Sequence, residues 1–149
     1  MQVSDGCLNL IRKSEGFKAS PYRCPAGIPT IGYGSTRYAD GTAVKLTDPP
    51  ITRQQADDIM RATLKEYEAA VTRYVTVPIS QNQFDALVDF AYNAGVQNLK
   101  SSTLLKQLNQ SQYDKAAAEF EKWVYGGGKK LGGLVTRRGL ERELFVQVV

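Results

Sequence analysis

The stretch Pro21-Tyr22-Arg23-Cys24-Pro25-Ala26-Gly27-Ile28-Pro29-Thr30-Ile31-Gly32-Tyr33-Gly34, continued to Thr42, decides the fold class of this 149-residue chain. Its prolines exclude a helix, and its glycines separate short runs of β-prone residues. The part from Thr30 to Gly34 is typical of a strand that another group approaches closely. Asp40-Gly41 predicts a hairpin turn. We therefore expect a small, irregular β-sheet between residues 21 and 42.

A short helix is predicted before this sheet. Ser4 or Asp5 can cap its N-terminus, and the helix should run to about Ser14. Gly16 is placed to end it, because a glycine readily adopts the left-handed conformation that follows a helix.

Helices dominate the chain after the sheet. Thr52 with Gln55 forms a capping-box pattern, and the helix that follows should reach about Val75, roughly 35 Å further on. Ser80 with Gln83 repeats the pattern before an apolar stripe of Phe84, Leu87, Val88 and Ala91, ended by Gly95. Further helices are expected at about 103–109, at about 112–124 and, after a break at Gly126-Gly127-Gly128, from about Thr136. This order predicts an α+β fold.

The composition excludes several classes of site. The chain has no histidine, so a Ser-His-Asp triad, a Cys-His dyad and a histidine-rich zinc site are impossible. It has only two cysteines, Cys7 and Cys24, which could pair or stay reduced but cannot form a four-thiolate zinc site. The net charge of +4 suits an anionic partner such as nucleic acid, a membrane surface or an acidic wall polymer, and equally an ordinary basic domain. No apolar run is long enough to span a bilayer, and we expect no export signal.

Glu15 is the outstanding candidate for an acid group. With Leu8 and Ile11 it falls on one face of the first helix, at that helix's C-terminal end. Burial and the negative end of the helix dipole both favour the protonated form of a carboxyl group, as a general acid requires. From its position alone, a solvent-exposed glutamate at a helix end is the commoner interpretation.

Cys24 and Thr30 follow in the proline- and glycine-rich segment. A loop that faces the end of the first helix could aim this thiol and this hydroxyl at the same space as Glu15. Taken singly, a buried structural cysteine and an ordinary strand threonine are the simpler interpretations.

Together these residues resemble the catalytic segment of the phage-type lysozymes of glycoside hydrolase family 24. In that family a Glu is followed, after eight residues, by an Asp or Cys and, after five more, by a Thr. This chain has Glu15, Cys24 and Thr30 at that spacing. Residues 83–95 also resemble the family's central-lobe helix, and residues 120–123 with 132–143 resemble its C-terminal signature.

The resemblance implies a lysozyme-like fold: one domain over residues 1–149 with a small β-containing N-terminal lobe and a larger helical C-terminal lobe. The N-terminal helix and β-lobe would occupy about residues 1–50, a long connecting helix about 52–76, and the helical lobe about 77–149. The polysaccharide would lie in the cleft between the lobes.

The resemblance also implies hydrolysis of the β-1,4 bond between N-acetylmuramic acid and N-acetylglucosamine in peptidoglycan. Glu15 would protonate the departing glycosidic oxygen, while Cys24 and Thr30 would position the attacking water or stabilise the oxocarbenium-like state. Many members of the family have Asp in place of Cys24. A thiol with a pKa near about 8.5 is mostly neutral at pH 7, so Cys24 supplies a fixed negative charge only if its pKa is lowered.

Partners and location follow from the same resemblance. The expected substrate is the glycan strand of peptidoglycan, whose peptide carboxylates suit a chain of net charge +4. We expect no nucleic-acid partner, no cofactor, no metal and no stable membrane insertion. We expect a monomer, made in the host bacterial cytoplasm, that depends on a holin to reach the wall in the periplasm and lyses the host. Tyr33, Thr36 and Asn93 are weaker candidates for substrate contacts.

The last helix leaves a second interpretation open. It combines three arginines and four apolar residues, namely Arg137, Arg138, Arg142, Leu140, Leu144, Phe145 and Val148. Such a basic amphipathic helix could touch a membrane surface, although a packing helix with a solvated basic face is simpler. The alternatives to a hydrolase are therefore a lytic transglycosylase, which uses one acidic Glu but no water, and a non-catalytic wall- or membrane-binding module.

Overall fold

The computed structural model describes residues 1–147, so Val148 of the predicted basic helix lies outside the described residues. The elements in chain order are α1 (Asp5–Glu15), β1 (Lys18–Arg23), β2 (Pro29–Gly32), α2 (Arg53–Tyr74), α3 (Gln81–Ala94), α4 (Val96–Ser101), α5 (Thr103–Asn109), α6 (Tyr113–Glu119), a 3-10 turn (Phe120–Lys122), β3 (Tyr125–Gly126), β4 (Lys129–Lys130) and α7 (Gly132–Val146). This mixture of helices with short strand pairs confirms the α+β fold class. Within the described part of the chain, no helix is both long and apolar enough to cross a membrane.

The chain forms two compact units. The β-unit comprises residues 11–66 and contains β1 and β2. The helical unit comprises residues 1–10 and 67–147 of the described chain, and it contains α3 to α7. The boundaries at about residues 50 and 76 stay a prediction.

The centre of the β-unit is one antiparallel strand pair. Tyr22 of β1 lies opposite Thr30 of β2, and the register shifts between Lys18 and Tyr22, so the pair is irregular as expected. β1 begins at Lys18, before the predicted start of the sheet, and β2 ends at Gly32 instead of Gly34. The reason for the early end is a tight turn after Gly32, where Ile31 and Ser35 pair through their backbones.

Two local signals position the helices of this unit. The Gly16 N–H donates to the Arg12 carbonyl at 2.9 Å, and Gly16 has a φ of 69°, which confirms that this glycine ends α1. The predicted capping box also forms before α2: the Thr52 N–H donates to Gln55 Oε1 at 2.8 Å, and the Gln55 N–H donates to Thr52 Oγ1 at 3.1 Å.

An ion pair joins these two helices. Arg12 of α1 donates from Nε and Nη2 to the two carboxylate oxygens of Asp57 in α2, at 3.0 and 2.8 Å. The fork-shaped geometry fixes the angle between the side chains as well as their distance. It therefore holds the last turn of α1, which carries Glu15, against α2.

The core of the helical unit is α3. Its capping box of Ser80 with Gln83 forms as predicted. Eight consecutive residues from Phe84 to Ala91 are buried, so the apolar stripe is only one part of a helix that is covered on all sides. Asp85 and Asp89 are therefore buried as well, and each needs a partner.

Helix α7 supplies partners for the buried charge of α3. Arg137 donates from Nε and Nη2 to Asp89 at 3.0 and 2.8 Å. Arg138 stacks on the Phe90 ring and pairs with Glu141 at 2.9 Å. Arg137 and Arg138 are only 5% and 1% exposed, so the prediction of a solvated basic face is wrong for these two residues. The helix packs through Arg137 because the buried Asp89 carboxylate of α3 needs a cationic partner.

Three other boundaries differ from the sequence-based expectation. Helix α4 was missed because Gly95 looked like the end of α3, whereas Gly95 also caps α4. The helix expected at about 112–124 is shorter, since α6 ends at Glu119 and continues only as a 3-10 turn. Helix α7 starts at Gly132 instead of near Thr136, since two glycines are tolerated in its first turn. The break at residues 126–128 is the turn of a hairpin formed by β3 and β4.

The buried carboxyl group of Glu141 makes stability depend on pH. Burial, followed by contact with Asp89, raises the pKa of Glu141 well above its ordinary range. A carboxyl that keeps its proton in the folded state but loses it in the unfolded state destabilises the fold as pH rises above its ordinary pKa. We expect the unfolding free energy to fall from about pH 5 to about pH 8 more steeply in the wild type than in Glu141→Gln, by up to ~1.4 kcal/mol per pH unit.

Thermal melting of both proteins at the two pH values measures this difference. Glu143→Gln is the matched control, because Glu143 lies on the same helix and is exposed. It should change the pH dependence little. A stability gap between wild type and Glu141→Gln that stays constant with pH would contradict the prediction.

Candidate active site

A tight hairpin turn places Cys24 between β1 and β2. The Gly27 N–H donates to the Cys24 carbonyl at 2.7 Å, and the Cys24 N–H donates to the Ile28 carbonyl at 3.1 Å. Gly27 has a φ of 80°, a left-handed conformation that suits glycine. This is the pattern of a three-residue hairpin loop, with Pro25 early in the turn and glycine at its last position.

The turn aims backbone N–H groups at the Cys24 sulfur. The N–H of Ile28 has the largest effect on the thiol and lowers its pKa; the N–H of Ala26 and the hydroxyl of Thr30 act in the same direction. Hydrogen bonds to the charged form favour that form. The turn therefore shifts the Cys24 thiol towards its charged form, although burial opposes this shift in part. Cys24 is a free cysteine, half-buried at the turn.

Thr30 is held beside this turn. Its hydroxyl donates to the Ile28 carbonyl at 2.8 Å, and the residue is 2% exposed. A threonine hydroxyl has one proton and two lone pairs, and the proton can rotate between acceptors. When the proton points to Ile28, the hydroxyl oxygen is an acceptor. When it points to Cys24, it stabilises the thiolate.

Tyr22 lies close to both acidic groups. It faces Thr30 across the strand pair, and burial raises the pKa of its phenol, followed by the negative charges of Glu15 and Cys24. The Cys24 N–H and the Thr30 hydroxyl donate to the same Ile28 carbonyl, and Glu15 lies beside Gly34 of the turn after β2. The structure therefore brings Glu15, Tyr22, Cys24 and Thr30 together within the β-unit.

The Glu15 carboxyl group lies against the turn after β2. The side chain is half-buried at the end of α1. A Cβ atom built on Gly34 would be 2.7 Å from Glu15 Oε2, so the carboxyl group occupies the space that a side chain at position 34 would need. The close approach expected for the segment from Thr30 to Gly34 is confirmed at this glycine.

The three weaker candidates lie in different surroundings. Tyr33 is buried, and its ring centroid is 5.7 Å from that of Phe17. Thr36 is exposed on the β-unit. Asn93 belongs to α3 of the helical unit, where its Oδ1 accepts a hydrogen bond from Arg138. Their role in substrate contact stays a prediction.

Tyr22 and Gly34 were not predicted as site residues, although both lie in the segment that carries the family resemblance. The alternation of strand residues could have found Tyr22, because a hairpin centred on residues 25–27 places it opposite Thr30. Gly34 could be suspected only as a glycine in a turn. Its contact with Glu15 depends on the packing of α1, which local sequence does not specify.

The arrangement suits acid-base chemistry by protein groups alone. It holds one carboxyl group, one thiol whose pKa is lowered by backbone hydrogen bonds, and one hydroxyl. Among residues 1–147 no cluster of His, Cys, Asp and Glu side chains could hold a metal ion.

Comparison with known proteins assigns a family. Residues 12–141 match the family described as Phage lysozyme. The endolysin of Salmonella phage P22 is 36% identical over 146 residues, which cover 98% of this chain and 99% of that protein. The endolysin of Bacillus phage B103 is 40% identical over 98% of this chain and 54% of that protein. The chain thus spans about half the length of the Bacillus phage endolysins that it matches.

Solved structures agree with this family. An endolysin from Escherichia coli O157:H7 phage FAHEc1 has a TM-score of 0.91 at 37% identity, covering 100% of this chain and 96% of that one. A P22 lysozyme mutant has a TM-score of 0.88 at 35% identity, covering 99% of both chains. The muramidase domain of SpmX from Asticaccaulis excentricus has a TM-score of 0.86 at 30% identity, again covering 99% of both.

The two thiols should differ sharply in reactivity. Burial, followed by the charges of Asp89 and Asp85, raises the pKa of Cys7, whereas the turn lowers the pKa of Cys24. Because the thiolate is the nucleophile, iodoacetamide should modify Cys24 alone in the native protein, with a midpoint below the ordinary thiol pKa of about 8.5. Mass spectrometry over a pH series measures both sites.

The urea-unfolded protein is the control for this experiment, because both thiols should then react with an ordinary midpoint. Native modification of Cys7 at the rate of Cys24, or an ordinary midpoint for native Cys24, would contradict the electrostatics described for the turn.

Proposed function

Because the chain belongs to the phage lysozyme family, we propose that it is a muramidase that hydrolyses the β-1,4 bond between N-acetylmuramic acid and N-acetylglucosamine in peptidoglycan. The observation that carries the proposal is the placement of Glu15, Cys24 and Thr30 in one compact unit, where the Cys24 N–H and the Thr30 hydroxyl both donate to the Ile28 carbonyl and Glu15 fills the space beside Gly34. Glu15 is the kind of proton donor that this hydrolysis requires, and Cys24 with Thr30 would take the part of the second carboxyl group.

Glu15 is the general acid of the proposed reaction. Its carboxyl group donates a proton to the glycosidic oxygen while the bond from that oxygen to the anomeric carbon breaks. The helix end at Gly16, the Arg12–Asp57 ion pair and the contact with Gly34 fix where this carboxyl group lies. Such fixing favours reaction because the proton donor is already in place when the sugar binds.

Cys24 and Thr30 act on the water that attacks the anomeric carbon. A water that donates one hydrogen bond to the Cys24 thiolate and another to Thr30 Oγ1 keeps a lone pair for the attack. The negative charge of Cys24 also favours the positive charge that develops on the sugar. The water oxygen bonds to the anomeric carbon, its proton leaves to solvent, and Glu15 regains a proton from solvent.

The substrate and the route to it complete the proposal. The net charge of +4 favours a wall polymer that carries peptide carboxylates. Peptidoglycan lies outside the inner membrane, so a chain made in the host cytoplasm needs a holin to reach it before the host lyses. The chain would act as a monomer, since both acidic groups belong to one unit of one chain.

Glu15→Gln tests the proposed function. The amide has nearly the same shape but cannot donate the required proton, so we expect at least about a hundredfold loss of activity with normal folding. Purified peptidoglycan is digested, and the muropeptides are identified by mass spectrometry. Glu66→Gln, a change at an exposed glutamate of α2, is the matched control and should keep full activity.

The products separate the alternatives. Reducing-end products that contain one added water support hydrolysis, whereas 1,6-anhydro products indicate a lytic transglycosylase. Normal lysis by Glu15→Gln would overturn the enzymatic assignment and favour a binding module.

Substitution of Cys24 tests the role of its charge. Cys24→Ala should lose most activity, and Cys24→Asp should retain it. Activity of the wild type should rise with pH as the thiol ionises, and this limb should move to lower pH in Cys24→Asp, because an aspartate ionises near pH ~3.9.

Because the chain has no histidine, no imidazole can account for a limb near neutral pH. The pH dependence of kcat/KM for the three proteins checks the prediction. Full activity of Cys24→Ala would show that this residue has no part in the mechanism. An identical rise of kcat/KM with pH in wild type and Cys24→Asp would show that its charge has no part in it.

A further inference from the structure

The three-residue turn Gly32-Tyr33-Gly34 is closed by a pair of backbone hydrogen bonds. The Ile31 N–H donates to the Ser35 carbonyl at 2.8 Å, and the Ser35 N–H donates to the Ile31 carbonyl at 2.9 Å. These paired bonds close the backbone on both sides of the turn. Gly34 within it has a φ of 80°, and so its backbone position is set by the turn itself.

The space beside Gly34 is filled by one side chain. A Cβ atom on Gly34 would lie 2.7 Å from Oε2, 3.0 Å from Cδ and 3.3 Å from Cγ of Glu15. The three nearest neighbours of the missing methyl group are thus the carboxyl end of the proposed general acid. Real carbon-to-oxygen contacts of 2.7 Å do not persist, so one of the two groups would have to move.

The carboxyl group is the one that would move. The turn is fixed by two backbone hydrogen bonds, whereas the Glu15 side chain can rotate about its own bonds. A methyl group at position 34 would therefore push the carboxyl group out of the place that it occupies. The backbone of α1 would resist a larger shift, because Arg12 is held by Asp57.

We propose that Gly34 is a positioning residue for the general acid: its lack of a side chain creates the site in which the Glu15 carboxyl group rests. This inference rests on the proposed function, since it assigns a task to Gly34 only if Glu15 donates the proton. In this proposal Gly34 acts only by positioning Glu15 and does not contact the sugar. A displacement of about 1 Å at a reacting group can lower the rate about a hundredfold.

A second glycine of the same unit separates crowding from backbone strain. Gly41 has a φ of 88°, close to that of Gly34, but a Cβ there would meet nothing within 4 Å. Alanine at either position must adopt a left-handed backbone, which costs about 1 to 2 kcal/mol. Only alanine at position 34 also meets the carboxyl group.

The experiment compares Gly34→Ala with Gly41→Ala. Both should lose similar thermal stability, because both carry the same backbone strain. Gly41→Ala should keep kcat within about twofold of the wild type, while Gly34→Ala should lower kcat about 10- to 100-fold with a much smaller change in KM. Soluble peptidoglycan fragments of defined length give both constants, measured well below either melting temperature.

A double-mutant cycle with Glu15→Asp distinguishes positioning of the carboxyl group from a merely structural role of Gly34. A structural role would give the same effect of Gly34→Ala on kcat in both backgrounds. The aspartate side chain is one methylene shorter and withdraws its carboxyl group from the turn. The effect of Gly34→Ala on kcat should therefore be at least about fivefold smaller in the Glu15→Asp background than in the wild type.

Two results would overturn the inference. One is a kcat for Gly34→Ala as high as that of Gly41→Ala, and the other is an effect of Gly34→Ala that is equally large in the Glu15→Asp background. Either result, combined with an inactive Glu15→Gln, would reject the role of Gly34 and leave the muramidase proposal standing. An active Glu15→Gln would instead reject the proposed function itself.

Discussion

The forked ion pair between Arg12 and Asp57 is the constraint on which the candidate active site depends. It holds the last turn of α1 at a fixed angle to α2, and Glu15 follows in that same turn. Both partners are about a quarter exposed, so the pair adds modestly to stability. Its value is geometric: two parallel hydrogen bonds leave the helix little freedom to rotate. Gly34 then leaves room for the carboxyl group that this helix end carries.

The helical unit solves a different electrostatic problem. Asp89 of α3 and Glu141 of α7 are fully buried, and Arg137 and Arg138 are buried with them. Glu141 keeps its proton in the folded state, whereas Arg137 and Asp89 form a buried ion pair. Buried ion pairs of this kind add little net stability, because desolvation offsets their attraction. They do make one packing of α7 on α3 much more stable than its alternatives. Any other register would leave a buried charge without a partner. The arginine-rich C-terminal motif is thus explained by packing, with a solvated surface excluded for Arg137 and Arg138.

Local rules predicted the parts of the structure that local chemistry controls. The capping boxes at Thr52 and Ser80 and the helix end at Gly16 formed as predicted, because each needs only neighbours within three or four residues. Local rules failed where a distant partner decides. The burial of Arg137 depends on Asp89, which lies 48 positions earlier in the chain. The role proposed for Gly34 depends in the same way on the packing of Glu15.

The Cys24 thiol shows how local backbone structure affects the pKa of a side chain in the candidate active site. A carboxylate at this position would be ionised near neutral pH without help, whereas a thiol needs its pKa lowered. The hairpin turn supplies the help through backbone N–H groups of Ile28 and Ala26, which are present whatever side chain occupies position 24. Backbone donors cannot be lost by substitution, except to proline. A turn that donates backbone hydrogen bonds to an anion favours the charged form of whichever acidic side chain stands at position 24, and in this chain it acts on a thiol beside Thr30.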